Sequence, residues 1–140
     1  MALVFRPSDL ARVHAHAEAG YPHEVVGILA GDRESGVVTA VATLVNERAD
    51  SAHNRYQVSG LVLQRAERQL EAEGHQILGY YHSHPDHPAD WSEFDRDHAW
   101  PQMSYLIVSV RQGRVADTRS WRLAEDRSVM EPEPVTASED

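Results

Sequence analysis

The sequence predicts a mixed α/β fold in which helices pack on the faces of one sheet. Three observations carry this. Short apolar runs alternate irregularly with segments of helical period, turn signals join runs into hairpins towards both ends, and 140 residues suit a single domain.

Ser8 is a candidate N-cap, Leu10, Val13 and Ala17 follow at helical spacing, and Gly20 with Pro22 stops the helix. Val25 to Ala30 is an apolar run ending at Gly31-Asp32 and reads as a buried strand. Val37 to Val45, beyond Gly36, reads as its hairpin partner, and residues 46–56 are polar and read as loop. Ser59 can cap a second helix, expected over 59–73, whose face Val62, Ala66 and Leu70 repeats every four residues before Gly74 closes it. Ile77 to Tyr81 is the next strand. Residues 85–91 hold two prolines and read as loop, and Ser92 caps a short helix ending before Pro101. Tyr105 to Val110, the turn RQGR and Val115 to Leu123 read as a hairpin. Beyond it, residues 125–140 carry six acids against one arginine, a net of −5, with two prolines. We read 1–124 as the domain and 125–140 as an acidic tail, extended or disordered.

Charge and composition exclude several function classes. Thirteen Lys and Arg against 22 Asp and Glu give −9, opposite to the basic footprint of a nucleic-acid binder or of a protein drawn to anionic membranes. No apolar run is long enough for a membrane span, and no signal peptide is apparent at the N-terminus. The chain has no cysteine, which rules out disulfides, thiolate catalysis and cysteine zinc sites and fits a cytoplasmic location.

Nine histidines are many for this length, and three of them fall close together in HSHPDHPADWSEFD, residues 82–95. His82 and His84, at i and i+2 on a strand, point to one face and suit a zinc ion. A third ligand is needed, and Asp95 on the following helix is the candidate; two histidines and a carboxylate leave the fourth position open, as in catalytic zinc sites. Read by themselves these residues keep other meanings. Ser92-x-x-Asp95 is also a capping-box start, and Ser83, Asp86, His87 and Asp90 read as structural or solvated positions.

His82-Ser83-His84-Pro85, then seven residues counted from Pro85 to Trp91, then Ser92-Glu93-Phe94-Asp95, resembles the signature of the JAB1/MPN/Mov34 (JAMM) metalloprotease family. Pro22-His23-Glu24-Val25-Val26-Gly27-Ile28-Leu29-Ala30-Gly31 is similar to the family's upstream strand, and Asn46 and Arg55-Tyr56 stand where it has similar residues. The resemblance covers residues 8 to about 123; Trp91, where many members carry a proline or small residue, departs from it.

The resemblance implies a curved, largely antiparallel sheet with helices on its faces, an architecture broadly shared with cytidine deaminases. It implies that His82, His84 and Asp95 bind zinc and that Glu24 contacts the water on the metal. It favours Ser92 as a hydroxyl donor to the developing oxyanion, beside its reading as a helix cap. Glu24 otherwise reads as a solvent-facing residue at a strand entrance. Ten residues between Asp95 and Leu106 leave little room for ubiquitin-clamping insertions, so the chain is similar to compact prokaryotic members. These imply cleavage after the C-terminal Gly-Gly of a ubiquitin-like or sulfur-carrier protein, whose tail would add as a strand to a sheet edge beside the zinc. Two alternatives remain: a non-catalytic MPN-type interaction module, whose members usually lack the ligands present here, and a deaminase-like zinc hydrolase, which needs a cysteine pair.

Overall fold

The computed structural model describes residues 2–44 and 60–138. In chain order the elements are β1 (Leu3–Phe5), α1 (Pro7–Gly20), β2 (Val26–Asp32), β3 (Val37–Leu44), α2 (Gly60–Ala72), β4 (Gln76–Pro85), α3 (Glu93–Asp97), β5 (Ser104–Arg111), β6 (Arg114–Leu123), β7 (Met130–Glu133) and β8 (Val135–Ala137). The expected positions Asn46, Arg55, Tyr56 and Ser59 lie outside the described residues.

All strands join one sheet in the order β7-β6-β5-β4-β2-β3-β1-β8. Pairings β2–β3, β2–β4, β5–β6 and β6–β7 are antiparallel, and β1–β3, β1–β8 and β4–β5 are parallel. The sheet is thus mixed and largely antiparallel, with a hairpin on either side of β4. It is also strongly curled. β7 and β8 lie at opposite ends of the strand order, yet only Pro134 separates them, and its carbonyl accepts the Leu3 amide at 2.9 Å. Residues 130–137 therefore pair with β6 at one edge and continue directly onto β1 at the other.

The two long helices cover opposite faces. Val13 and Ala17 of α1 are buried in a core with Phe5, Leu29, Val38, Tyr81, Leu106 and Val108. On the other face Leu70 is buried with Ile28, Ala30 and Ile77, and Leu63 and Ala66 of α2 pack against this group. Val62 is not part of that contact: it is 37% exposed, and the buried stripe runs through 63, 66 and 70 instead. The start of α1 also differs from expectation. Its N-cap is Arg6, with Pro7 opening the helix, and Ser8 lies inside the first turn. Proline's fixed φ and missing amide suit that position and draw the start two residues upstream. Asp9 then holds Arg6 through a 2.6 Å contact.

In β4 the alternation of side chains sets the site. Tyr81 and Ser83 face the α1 core, where both are buried, while Tyr80, His82 and His84 face the α2 side. Gly27, paired with Tyr81, leaves room for that ring; an added Cβ would come within 2.1 Å of it. Among the described residues no helix is long and apolar enough to cross a membrane.

Candidate metal centre

The site lies where β4 leaves the sheet. The strand runs on to Pro85, four residues beyond the expected Tyr81, because β5 pairs with it in parallel throughout, setting His82 beside Ile107 and His84 beside Ser109. The chain then loops through 86–91 and returns as α3, whose first turn faces the two histidines.

His82, His84 and Asp95 each offer one ligand atom, and these atoms lie within 4.8 Å of one another. His82 Nε2 is 3.1 Å from His84 Nε2 and 3.2 Å from Asp95 Oδ1, and His84 Nε2 is 3.8 Å from Asp95 Oδ2. A tetrahedral ion with metal–nitrogen bonds of about 2.0–2.1 Å separates its ligand atoms by roughly 3.3 Å, so the spacing fits a zinc-sized ion. The donor set fits as well: two imidazoles and one carboxylate, with His82 3% and Asp95 7% exposed.

His84 and Asp95 are each aimed by a backbone contact. His84 Nδ1 lies 2.9 Å from the Pro88 carbonyl, which can only accept. The proton therefore sits on Nδ1, and Nε2 presents its lone pair to the centre, the arrangement by which an outer partner fixes a metal-ligand tautomer. Ser92 is the N-cap of α3: its Oγ accepts the Asp95 amide at 3.1 Å, while Asp95 Oδ2 accepts the Ser92 amide at 2.8 Å. The capping box and the ligand role are thus compatible. Oδ2 fixes the helix start and leaves Oδ1 toward His82. Ser92 is itself exposed, and accepting the amide leaves its hydroxyl hydrogen to donate outward.

Electrostatics favour a metal-ready protonation state. Burial, reinforced by the charge of His82, pushes His84 down to about 4, so its imidazole is neutral at physiological pH. Burial alone would raise the Asp95 carboxyl, but hydrogen bonding and charge from His82, the Ser92 amide and His84 outweigh it and hold the group at about 2.

Glu24 sits just ahead of β2 and is buried, with 7% exposure. Val25 is fastened to the middle of the motif: its amide donates to Ser83 Oγ at 2.9 Å and its carbonyl accepts the Ser83 amide at 3.1 Å. Val26 pairs with His82, so continuing the antiparallel register by two residues sets Glu24 opposite His84, on the face that carries both histidines. Glu24 is therefore not the solvent-facing residue that its position alone suggests.

Several features of this region escape the sequence. Asp86 is exposed, as expected, but it is fixed: it accepts the Tyr21 hydroxyl at 2.6 Å and the Gln112 amide at 2.9 Å, tying the segment before Glu24 to the end of β4. Asp90 pairs with Arg119 at 3.2 Å. The Pro88 carbonyl has no signal in the sequence, because any residue supplies one. Trp91 packs against a third apolar cluster of Ala99, Tyr105 and Met130. Finally, among the described residues β4 has β2 on one side as far as His82 and β5 on the other as far as Pro85, and the sheet's end strands are β7 and β8.

The family of prokaryotic homologs of the JAB domain matches residues 7–124. A desampylase from Haloferax volcanii is 34% identical over 105 residues, 74% of this chain and 75% of that protein. A probable TtuB-protein conjugate cleaving protease from Thermus thermophilus is 38% identical over 101 residues, 72% of this chain and 66% of that protein. Among solved structures, a protein from Desulfitobacterium hafniense superposes with a TM-score of 0.83 at 26% identity, covering 99% of this chain and 94% of that one. A JAB1/MPN domain protein from Archaeoglobus fulgidus shares the fold, with a TM-score of 0.63 at 16% identity over 99% of this chain and 98% of that one.

Proposed function

The chain belongs to the prokaryotic JAB-domain family, and from that premise we propose that it is a zinc-dependent hydrolase cutting the peptide or isopeptide bond after the C-terminal Gly-Gly of a ubiquitin-like or sulfur-carrier protein. The observation that carries the reading is the buried convergence of His82, His84 and Asp95 within 4.8 Å. The substrate class is supported by the two relatives, one a desampylase and one a probable protease of TtuB–protein conjugates.

His82, His84 and Asp95 would hold the ion. When bound, zinc supplies a Lewis acid and lowers the pKa of water to about 7. Glu24 takes the proton from the attacking water and returns it to the leaving amine. Ser92 donates its hydroxyl to the oxygen of the scissile carbonyl as charge gathers there, a role open to it because its cap contact uses only the oxygen's lone pair. The Asp95 and Glu24 carboxylates offset the charge of the ion in a largely buried site.

The test is a ubiquitin-like protein ending in Gly-Gly, fused to a reporter peptide and incubated with protein carrying one zinc per chain. Mass spectrometry should find release after the second glycine and none from a Gly-Ala junction. An intact fusion at full zinc occupancy refutes the substrate class.

A further inference from the structure

Three consecutive backbone carbonyls in the β4–α3 loop each accept a side-chain donor. Ser109 Oγ donates to His87 O at 2.6 Å, His84 Nδ1 to Pro88 O at 2.9 Å, and Trp121 Nε1 to Ala89 O at 3.0 Å. The middle acceptor orients a metal ligand. The outer two are held from the sheet, Ser109 on β5 beside His84 and Trp121 on β6. Ser109 is buried and Trp121 packs against the cluster of Ala99, Tyr105 and Met130, so both donors stand on rigid elements.

We propose that Ser109 and Trp121 are positioning residues for the metal centre, clamping the carbonyls either side of Pro88 so that the Pro88 carbonyl fixes the tautomer and ring orientation of His84. The physical need is plain. Pro85 and Pro88 have no amide to donate, so the loop cannot secure itself with those backbone groups. A carbonyl that swings away no longer selects the Nδ1-protonated ring, and the lone pair at Nε2 is then no longer guaranteed. The inference rests on His84 being a ligand, as in the function proposed above.

The test uses Trp121→Phe and Ser109→Ala, which remove one donor each and keep most of the packing. Arg119→Ala serves as a control, since its ion pairs reach only the exposed side chains of Asp90 and Asp117 and no loop carbonyl. Zinc affinity is measured by chelator competition, and the cobalt-substituted protein is followed by its visible absorption. Loss of an outer partner typically weakens metal binding about 10–100-fold; acting one contact further out, each variant should lose roughly 3–10-fold and the double variant more. The cobalt bands should shift in the two variants and stay in place in Arg119→Ala. A lower melting temperature with unchanged affinity and unchanged cobalt spectrum would mean that both residues serve packing alone, and it overturns the proposal. Wild type without stoichiometric zinc would instead bring down the metal centre itself. If Trp121→Phe does not fold, Ser109→Ala decides.

Discussion

Ser92 and Asp95 hold each other by reciprocal backbone contacts, and the same Asp95 carboxylate that closes α3 at 2.8 Å reaches His82 at 3.2 Å with its other oxygen. One side chain therefore joins a helix start to the His82–His84 pair, and its cap contact can be separated from the proposed ligand role. Asp95→Asn keeps an amide oxygen for the Ser92 amide but replaces the anionic ligand, so the variant should fold and bind far less than one zinc per chain by elemental analysis. Ser92→Ala should cost about 1 kcal/mol in stability through the lost cap and also weaken zinc binding. Undiminished zinc in Asp95→Asn rules out Asp95 as a ligand.

Glu24 has a different signature. Glu24→Gln is nearly isosteric, so zinc content and thermal melting should match wild type. Positioned acid–base catalysis contributes roughly 10²–10⁴-fold, and hydrolysis of the Gly-Gly fusion should fall by at least that much. Wild-type turnover at equal zinc occupancy would remove Glu24 from the reaction.

Acid should act on the metal-free fold in a defined window. His84 is held near 4 in the folded chain against about 6.5 when unfolded, so the unfolded chain takes the proton first. Stability contributed by the neutral imidazole is complete above 6.5 and declines as pH falls from there to about 4. Asp95, held near 2, adds a further decline below about 4. Melting in chelator from pH 7.5 to 4.5 should show a steeper drop for wild type than for His84→Gln. Parallel curves would mean that His84 is not buried against protonation.

The acidic end of the chain should matter for stability. Glu133 is buried, accepting Ser120 Oγ at 2.7 Å and Arg122 Nη1 at 3.2 Å. Glu133→Ala strands the buried Ser120 hydroxyl and leaves Arg122 only its contact with Ser104, which should cost about 1–3 kcal/mol. Removing residues 130–140 uncovers one side each of β6 and β1 and should lower the urea midpoint more than the point change. Equal midpoints for full-length and shortened protein would show that the strap adds nothing.

How far the sequence was legible follows from which groups act. Side chains announce themselves: His82, His84 and Asp95 converge as their spacing suggests, and the β5–β6 hairpin is written in its turn. Backbone partners do not. β1 is three residues without a period, and β7 and β8 are four and three residues in an acidic, proline-bearing segment whose composition reads as tail. Their place in the sheet comes from ladder hydrogen bonds that any residue can make. The same reason hid the Pro88 carbonyl. The buried stripe of α2 runs through Leu63 where the sequence pattern points to Val62, and since both are apolar hydrophobicity alone does not distinguish them.

The junction at Pro134 also constrains the order of assembly. Phe5 pairs with Ala137, so β1 gains its second neighbour only by closing a loop of some 130 residues, and the entropy of closure comes late in folding. Until then β1 and β6 present unsatisfied rows of amides and carbonyls, available to another copy of the chain. A few residues of unpromising composition thus divide intermediates that aggregate from a product whose seam is shut. Slow docking of this segment should therefore lengthen the time for which these edges stay open to another chain.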